Sequence, residues 1–440
     1  MSEQEPQNVA AFKAWLVQNG ARIHPDVLFE PVASGFNVVA GSDVPADTTV
    51  VSIPFSLAIT PALSRSALGT LFANAGATVP ELNELSERQL VCTYLCMHWI
   101  AESSNSQGAL QHGPYINTLP SPEKLRTPLH FTPAEVDAFR GSNLYGATLD
   151  RRRDWEVEWE QCKTVVNAAN PSWAAAFTWE RYLTASTYLS SRAFPSTVLS
   201  ESPTLVTTAS SYPVLLPGID ALNHARGHSV SWVVSSPSAS SPTSAEPSIS
   251  LVIHAPTPRG AELLNNYGPK PNSELILGYG FSLPNNPDDT IVLKIGGPSA
   301  ASASSSQGGS ASSPGKWEVG RGARGAEPVW EAVLAAVRAQ GGDEEDEDEE
   351  GDAIEDELCA ADMLAEMAQS LYDRLPPFPP ANKAEMRPEV VEMLGHYLEG
   401  QRNILQSLVS FARDKEAQAL QRAREEGLDI VDEEDEEAED

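Results

Sequence analysis

Two short polar segments of this chain hold residues whose types and setting could do chemistry. The first is Leu216-Pro217-Gly218-Ile219-Asp220-Ala221-Leu222-Asn223-His224, which ends in an Asn-His pair. The second is Asn265-Asn266-Tyr267-Gly268-Pro269-Lys270-Pro271-Asn272-Ser273-Glu274-Leu275, running on to Tyr279-Gly280-Phe281. An asparagine amide donates and accepts hydrogen bonds at once, which suits a zwitterionic ligand. A tyrosine offers a rigid hydroxyl on an apolar ring. Taken singly, a tyrosine at a strand end is core packing and an Asn-His pair is a loop accident. The segments gain meaning from their order and from the short apolar strand that each is expected to follow.

Together and in this order, the segments resemble the two signature stretches of SET-domain methyltransferases. The subgroup they are most similar to is named for the Rubisco large-subunit lysine methyltransferase and includes fungal-type non-histone lysine methyltransferases. The resemblance implies S-adenosyl-L-methionine as cofactor and transfer of its methyl group to an amine, with no metal. Such a reaction depends on in-line positioning and on oriented oxygen atoms around a methyl group that becomes more positive. A dry channel would lower the pKa of an entering lysine. Within the pattern Asn-Tyr-Gly-x-x-x-Asn-x-Glu-Leu, the resemblance makes Tyr267 the catalytic tyrosine. Asn223 would grip the methionine part of the cofactor, and the His224 backbone would read the adenine edge. Asp220 matches a position where substrate and cofactor meet, or it caps the short turn that follows. The segment Ser190-Ser191-Arg192-Ala193-Phe194 is similar to the group's Ser-Arg-x-Phe element, whose arginine, here Arg192, contacts the cofactor carboxylate. Tyr279 matches an aromatic of the lysine channel and Phe281 one of the cofactor pocket, unless both are core aromatics. The substrate channel would thus be formed by Tyr279, Asp220 and Arg192. Near the amino terminus, Ser34, Gly35 and Phe36 match the element that approaches the cofactor. There the group's second glycine is replaced by Asn37, which tolerates positive φ better than most residues. Glu274 is expected to cap or pair rather than act as a base.

The elements needed to position these residues can be read from periodicity. Ala10 to Gln18 suits a short amphipathic helix ended by Asn19-Gly20. Short β-rich runs follow at Phe36–Ala40 and Thr48–Ile53. Between Glu81 and Leu189 the apolar spacing is helical, over Glu87–Ala101, Pro133–Arg140, Trp155–Ala169 and Trp173–Ser190. Strand character returns at Tyr212–Leu216, Ser229–Val234, Ile249–His254 and Ile291–Ile295. Helices are expected again at Val329–Gln340, Ala353–Leu375 and Pro388–Glu425. The fold class expected is α+β: a β-rich SET fold split by a helical insertion and followed by an all-α C-terminal domain. The boundaries are an N-terminal helix in 1–25, the first SET part in 26–84, the helical insertion in 85–190 and the second SET part in 191–295. The second part carries a Ser/Pro-rich hairpin loop at 235–247. A flexible Ser/Ala/Gly linker at 296–316 leads to a helical substrate-binding-like domain at 317–427 with an acidic loop at 341–357. The acidic tail at 428–440 is expected to be disordered.

Composition narrows the function classes. The chain has 440 residues, 41% of them apolar, and a net charge of −32. Two acidic runs, in 343–357 and 429–440, carry most of that charge and leave an ordinary balance elsewhere. Such runs are solvated tails or attract a basic protein partner such as a ribosomal protein or translation factor. The same charge disfavours direct nucleic-acid binding. Arg151-Arg152-Arg153 near Trp155 and Trp159 is either an RNA patch or, more in keeping with this charge, the basic face of an amphipathic helix. Cys92 and Cys96, near His98, have the spacing of one helix face. They read as buried small residues rather than zinc ligands, because no second ligand pair follows. The start Met1-Ser2-Glu3-Gln4-Glu5 lacks the features of a signal peptide, and no apolar run approaches a membrane span. A monomeric, cytoplasmic and/or nuclear protein-lysine N-methyltransferase acting on a non-histone protein is the leading expectation. The alternatives are a protein-histidine N-methyltransferase and a non-catalytic SET-fold interaction protein.

Overall fold

The computed structural model describes residues 5–101, 108–236, 246–295, 316–340 and 349–427. The chain forms two compact units. The first comprises residues 1–131, 148–270 and 276–280, and the second residues 132–147, 271–275 and 281–440.

The first unit is built around small antiparallel sheets. Its strands are β1 (Arg22–Ile23), β2 (Val27–Val32), β3 (Gly35–Ala40), β4 (Thr48–Pro54), β5 (Phe194–Pro195), β6 (Pro213–Val214), β7 (Val230–Ser235) and β8 (Ser248–Ile253). They pair as β1-β4-β8-β7, β2-β3 and β5-β6. β8 follows the period of two, burying Ile249, Leu251 and Ile253 against β4. Full burial of such a side chain contributes about 1.5–3 kcal/mol. β7 and β8 form the expected hairpin, with Ser235 opposite Ser248. The middle of its Ser/Pro-rich loop, at 237–245, lies outside the described residues.

The helices of this unit surround Glu87–Met97, in which every residue from Gln89 to Met97 is buried. A reciprocal capping box of Ser86 and Gln89 starts this helix. It packs against Pro61–Asn74 and Trp179–Arg192. Cys92 and Cys96 are fully buried there, and burial pushes both thiols up, which keeps them protonated. The run expected as one helix over Trp173–Ser190 is instead Pro171–Ala176 and Trp179–Arg192. Thr178 takes an extended conformation and caps the second helix through Arg181 N–H, and that ends the first. Arg151 to Arg153 lie in the helix Asn143–Ala169. Arg151 covers Trp155, Arg152 pairs with Glu156 and Arg153 with Asp150, as befits a helix face.

The second unit holds β9 (Thr290–Lys294) and β10 (Lys316–Gly320), an antiparallel pair. Its long helices are Glu327–Arg338, Glu349–Arg374 and Pro388–Glu426. The small sheet adds to the helical region expected here. The helix begins at Glu349, inside the stretch expected as an acidic loop. Ile354 is buried, Asp356 pairs with Arg338 and Glu357 with Arg422, so neighbouring cations offset the charge that argued against helix. The linker at 296–315, the acidic residues 341–348 and the tail at 428–440 lie outside the described residues. Among the described residues no helix is long and apolar enough to cross a membrane.

Candidate active site

The two polar segments meet in the first unit. Asn265 N–H donates to the Asn223 carbonyl (2.7 Å), Ala225 N–H donates to the Asn265 carbonyl (2.8 Å), and His224 and Asn265 form a parallel bridge. On its other side the second segment bonds to β3, with Leu263 N–H donating to the Val38 carbonyl (2.7 Å) and Glu262 bridging Val39. The short apolar strand expected before Tyr267 is therefore an extended run with isolated bridges. Its hydrogen bonds alternate between two partners, so neither side builds a ladder.

This arrangement stacks three rings in a row. His224 lies on Tyr267 at 5.0 Å between ring centroids, and Tyr267 lies on Tyr279 at 5.3 Å. His224 Nδ1 accepts from the Tyr267 backbone N–H at 3.0 Å, which fixes that nitrogen as the unprotonated one. The Tyr267 hydroxyl donates to the Leu222 carbonyl at 2.9 Å. Burial pushes its phenol well above the ordinary tyrosine range, and Tyr279, Asp220 and Glu262 add to this against the pull of Arg192. The group is a neutral hydroxyl at physiological pH, not a phenolate base. Tyr279 ends a π-turn, a feature frequent at functional sites. The Leu277 carbonyl of that turn accepts from Arg151 (2.8 Å) and the Gly278 carbonyl from Ser190 (3.2 Å). Gly280 (φ +81°) must be glycine, because a Cβ there would lie 2.7 Å from the Arg126 carbonyl carbon.

A cavity of about 370 Å³ opens over the Tyr267 and Tyr279 rings; His224 is not among its lining residues. Tyr267, Tyr279, Arg192, Asp220, Lys270 and Tyr212 are among its lining residues. The Lys270 ammonium stands 5.6 Å from the centre of the Tyr279 ring, where a cation is attracted by the π face. Arg192 and Asp220 also line a second, narrow cleft of about 20 Å³ bounded by Phe12, Phe29, Phe36 and Tyr115. These two residues form a wall shared by both cavities. The Asp220 carboxylate is buried and accepts from the Tyr115 hydroxyl and from Gly218 N–H (3.2 Å). Arg192 donates to the Asp220 carbonyl at 3.0 Å but stands 3.9 Å from its carboxylate. Burial raises the Asp220 pKa, and Arg192 and Tyr115 only partly offset it. Burial works against the charge of Arg192 as well, yet Asp220 and the surrounding tyrosines outweigh it and raise the guanidinium.

The remaining expected residues fall as follows. Asn223 is exposed, and its amide nitrogen donates to Glu262 Oε1 (2.7 Å) and to Asn37 Oδ1 (3.1 Å). Gly35 is buried with φ +140°, and a Cβ there would meet Pro120 Cγ at 3.1 Å. Ser34 is exposed in the turn before it, and neither Ser34 nor Gly35 lines the two cavities described. Asn37 lies in regular β3 opposite Glu30 and is not among the positive-φ residues. The expectation that its tolerance of positive φ rescues a glycine turn is thus corrected: Gly35 alone carries the turn. Phe281 and Glu274 belong to the second unit. Sequence reasoning missed Tyr115, Lys270 and Glu262. Lys270 and Glu262 lie within a few residues of Tyr267 and were within reach. Tyr115 sits in the helical insertion, outside both motifs, and no local signal marks it.

No family model matches the chain. It is 31% identical over 285 residues to a protein of Schizosaccharomyces pombe named ribosomal lysine N-methyltransferase set10, covering 63% of this chain and 46% of that one. It is 27% identical over 219 residues to ribosomal lysine N-methyltransferase 1 of Saccharomyces cerevisiae, covering 41% of this chain and 34% of the other. An actin-histidine N-methyltransferase of Gallus gallus is 23% identical over 287 residues, with 64% and 44% covered. The chain spans less than half the length of these curated relatives. Among solved structures, the SET domain of LSMT bound to lysine and AdoHcy superposes with a TM-score of 0.70 at 18% identity, covering 98% of both chains. Rubisco LSMT bound to AdoMet gives 0.68 at 17% identity, covering 98% of this chain and 99% of that one. The likeness to the Rubisco large-subunit methyltransferase group, first read in the two motifs, is found again in the fold, and the sequence relatives are named lysine or histidine N-methyltransferases. The α+β SET architecture with a helical insertion and a helical C-terminal region is the fold of this chain.

Proposed function

We propose that this chain is an S-adenosylmethionine-dependent protein-lysine N-methyltransferase whose substrate is a ribosomal or other basic non-histone protein of the translation machinery. The observation that carries the reading is the wall of Arg192 and Asp220 shared by two cavities, with Tyr267 lining the larger one. The residues at hand fit the cofactor. Arg192 supplies a cation for a carboxylate and Asn223 an amide for a zwitterion. When bound, the sulfonium supplies an activated methyl group. The chain's own residues do the rest. Tyr267 keeps its proton and presents an oriented oxygen dipole toward the reacting centre. The aromatic walls of Tyr267 and Tyr279 exclude water, and desolvation lowers the pKa of an amine that enters. Lys270 adds a positive charge at the same cavity, which disfavours the ammonium form further. The protein would act as a monomer in the cytoplasm or nucleus, without contacting nucleic acid directly.

A second reading rests on the relatives named actin-histidine N-methyltransferases. There the acceptor would be a neutral imidazole, and Asp220 would be the polar group available to it. Incubating the protein with labelled S-adenosylmethionine and ribosomes from its own organism, then mapping the label by mass spectrometry, separates the readings. Methyl-lysine on a ribosomal protein is the expected result. Methyl-histidine would favour the second reading. Absence of both label and cofactor binding would leave a non-catalytic interaction protein.

A further inference from the structure

We infer that Asn37 and Glu262 are positioning residues for Asn223, holding its amide so that the side-chain oxygen serves as acceptor for the ammonium of an amino-acid ligand. The inference rests on the cofactor reading above and adds residues to it. Asn223 is exposed, and on its own an exposed amide turns freely about its last torsion. Here its nitrogen lies 2.7 Å from Glu262 Oε1 and 3.1 Å from Asn37 Oδ1. An ionised carboxylate can only accept, so the atom facing Glu262 must be the NH2 group. Both amide hydrogens are then committed, and Oδ1 remains as the acceptor end. A flip would set oxygen against carboxylate, which is repulsive. Both anchors are firmly placed. Asn37 lies in β3, and Glu262 bridges Val39 of the same strand, flanked by Ala40 N–H to the Ala261 carbonyl (2.9 Å) and Leu263 N–H to the Val38 carbonyl (2.7 Å). A glycine at position 37 would have no acceptor to offer. The departure from the Gly-x-Gly pattern therefore supplies an orienting contact and does not weaken the site.

The test is calorimetry on the full chain with two probes, S-adenosylhomocysteine and 5′-methylthioadenosine, the second lacking the amino-acid end. Asn37→Gly is expected to weaken S-adenosylhomocysteine about three- to tenfold, the range of a lost neutral hydrogen bond. Glu262→Ala is expected to cost about 10- to 100-fold, the range of a charged one. Neither should move 5′-methylthioadenosine by more than about twofold, since that probe has no ammonium to recognise. Asn37→Asp, which keeps an acceptor, should retain wild-type affinity for both. If Asn37→Gly binds S-adenosylhomocysteine as well as or better than wild type, the inference is wrong. Equal losses for both probes would reduce Asn37 and Glu262 to structural residues and overturn it as well. A wild-type protein that binds neither probe would remove the cofactor reading itself, a result distinct from these.

Discussion

Two buried carboxylates, one in each unit, are treated in opposite ways. Glu135 of the second unit accepts from Arg387 through its backbone N–H (2.9 Å), Nε (2.8 Å) and Nη2 (2.6 Å), and from Thr132 N–H (2.9 Å). Burial opposes its charge, but these contacts prevail and hold its pKa below the ordinary range. Asp220 of the first unit has a single hydroxyl, one backbone N–H and an arginine 3.9 Å away, and burial holds its pKa above the ordinary range. Glu135 closes a capping box and ties together two segments distant in sequence. Asp220 and Arg192 face cavities and are left incompletely satisfied by each other. An under-paired buried charge is costly to the fold and is found where a ligand completes the set. A raised carboxylate alone does not mark such a place. Asp289 is also raised by burial, yet it is bound by Arg321 and by Asn272 N–H (2.7 Å) and packs against Gly400, where a Cβ would collide with it. The cavity at Asp220 makes the difference.

The contrast can be broken most forcefully at Glu135. Glu135→Ala removes the buried carboxylate that accepts from Arg387 and from Thr132 N–H and should cost about 3 kcal/mol or more, read by denaturant unfolding of the full chain. A loss below about 1 kcal/mol would place Glu135 with ordinary surface pairs. Asp220→Asn should lower methyl transfer by roughly 10²-fold while leaving unfolding stability at neutral pH unchanged or raised. A neutral amide still accepts from Tyr115 and removes a buried charge. A large stability loss with intact transfer would reverse the roles assigned here.

Acid titration sharpens the comparison, because the signs differ. The Glu135 pKa is depressed in the folded state. Its stabilisation is present above the unfolded value of about 4.3 and is lost as pH falls through the folded value. The Asp220 pKa is raised. Its contribution is present below the unfolded value of about 3.9 and is lost as pH rises through the folded one. Glu135→Gln should therefore flatten the fall in stability below about pH 4.3. Asp220→Asn should gain stability relative to wild type only above about pH 3.9. The smallest effect expected is that of Tyr115→Phe. Loss of one hydroxyl to a buried carboxylate should cost about 1.5 kcal/mol, the low end for a hydrogen bond to a charged group, and move the acid limb of the pH–rate profile upward, since one of the contacts that lower the Asp220 pKa is gone.

The residues proposed for the candidate site were easier to pick out of the sequence than the elements around them. Tyr267, Asn223 and His224 lie in contiguous motifs whose local pattern survives without any knowledge of packing. Arg192 was reached only through its short Ser-Arg-x-Phe context. The strands of the main sheet were legible because one face is buried and alternation follows, as at Ile249, Leu251 and Ile253. The helix Pro61–Asn74 was not, because its Ser, Ala and Gly content blurs the apolar stripe; Thr60-Pro61 was its one clear start signal. β10 was hidden because a five-residue strand is defined by its pairing with β9 and not by its own composition. Tyr115 was invisible because its role is set by Asp220, 105 residues away. The helical start at Glu349 was masked by like charges whose partners, Arg338 and Arg422, are distant in the chain.

The central claim is that Tyr267 acts on the transferred group and not on cofactor binding. The most direct measurement compares wild type with Tyr267→Phe, titrating S-adenosylhomocysteine by calorimetry and following label transfer to ribosomes at saturating S-adenosylmethionine. The account predicts affinities within about threefold of each other, as the lost hydroxyl bond is internal, and transfer reduced by about 10²–10³-fold. Transfer at the wild-type rate, or a loss explained wholly by weaker cofactor binding, would contradict it.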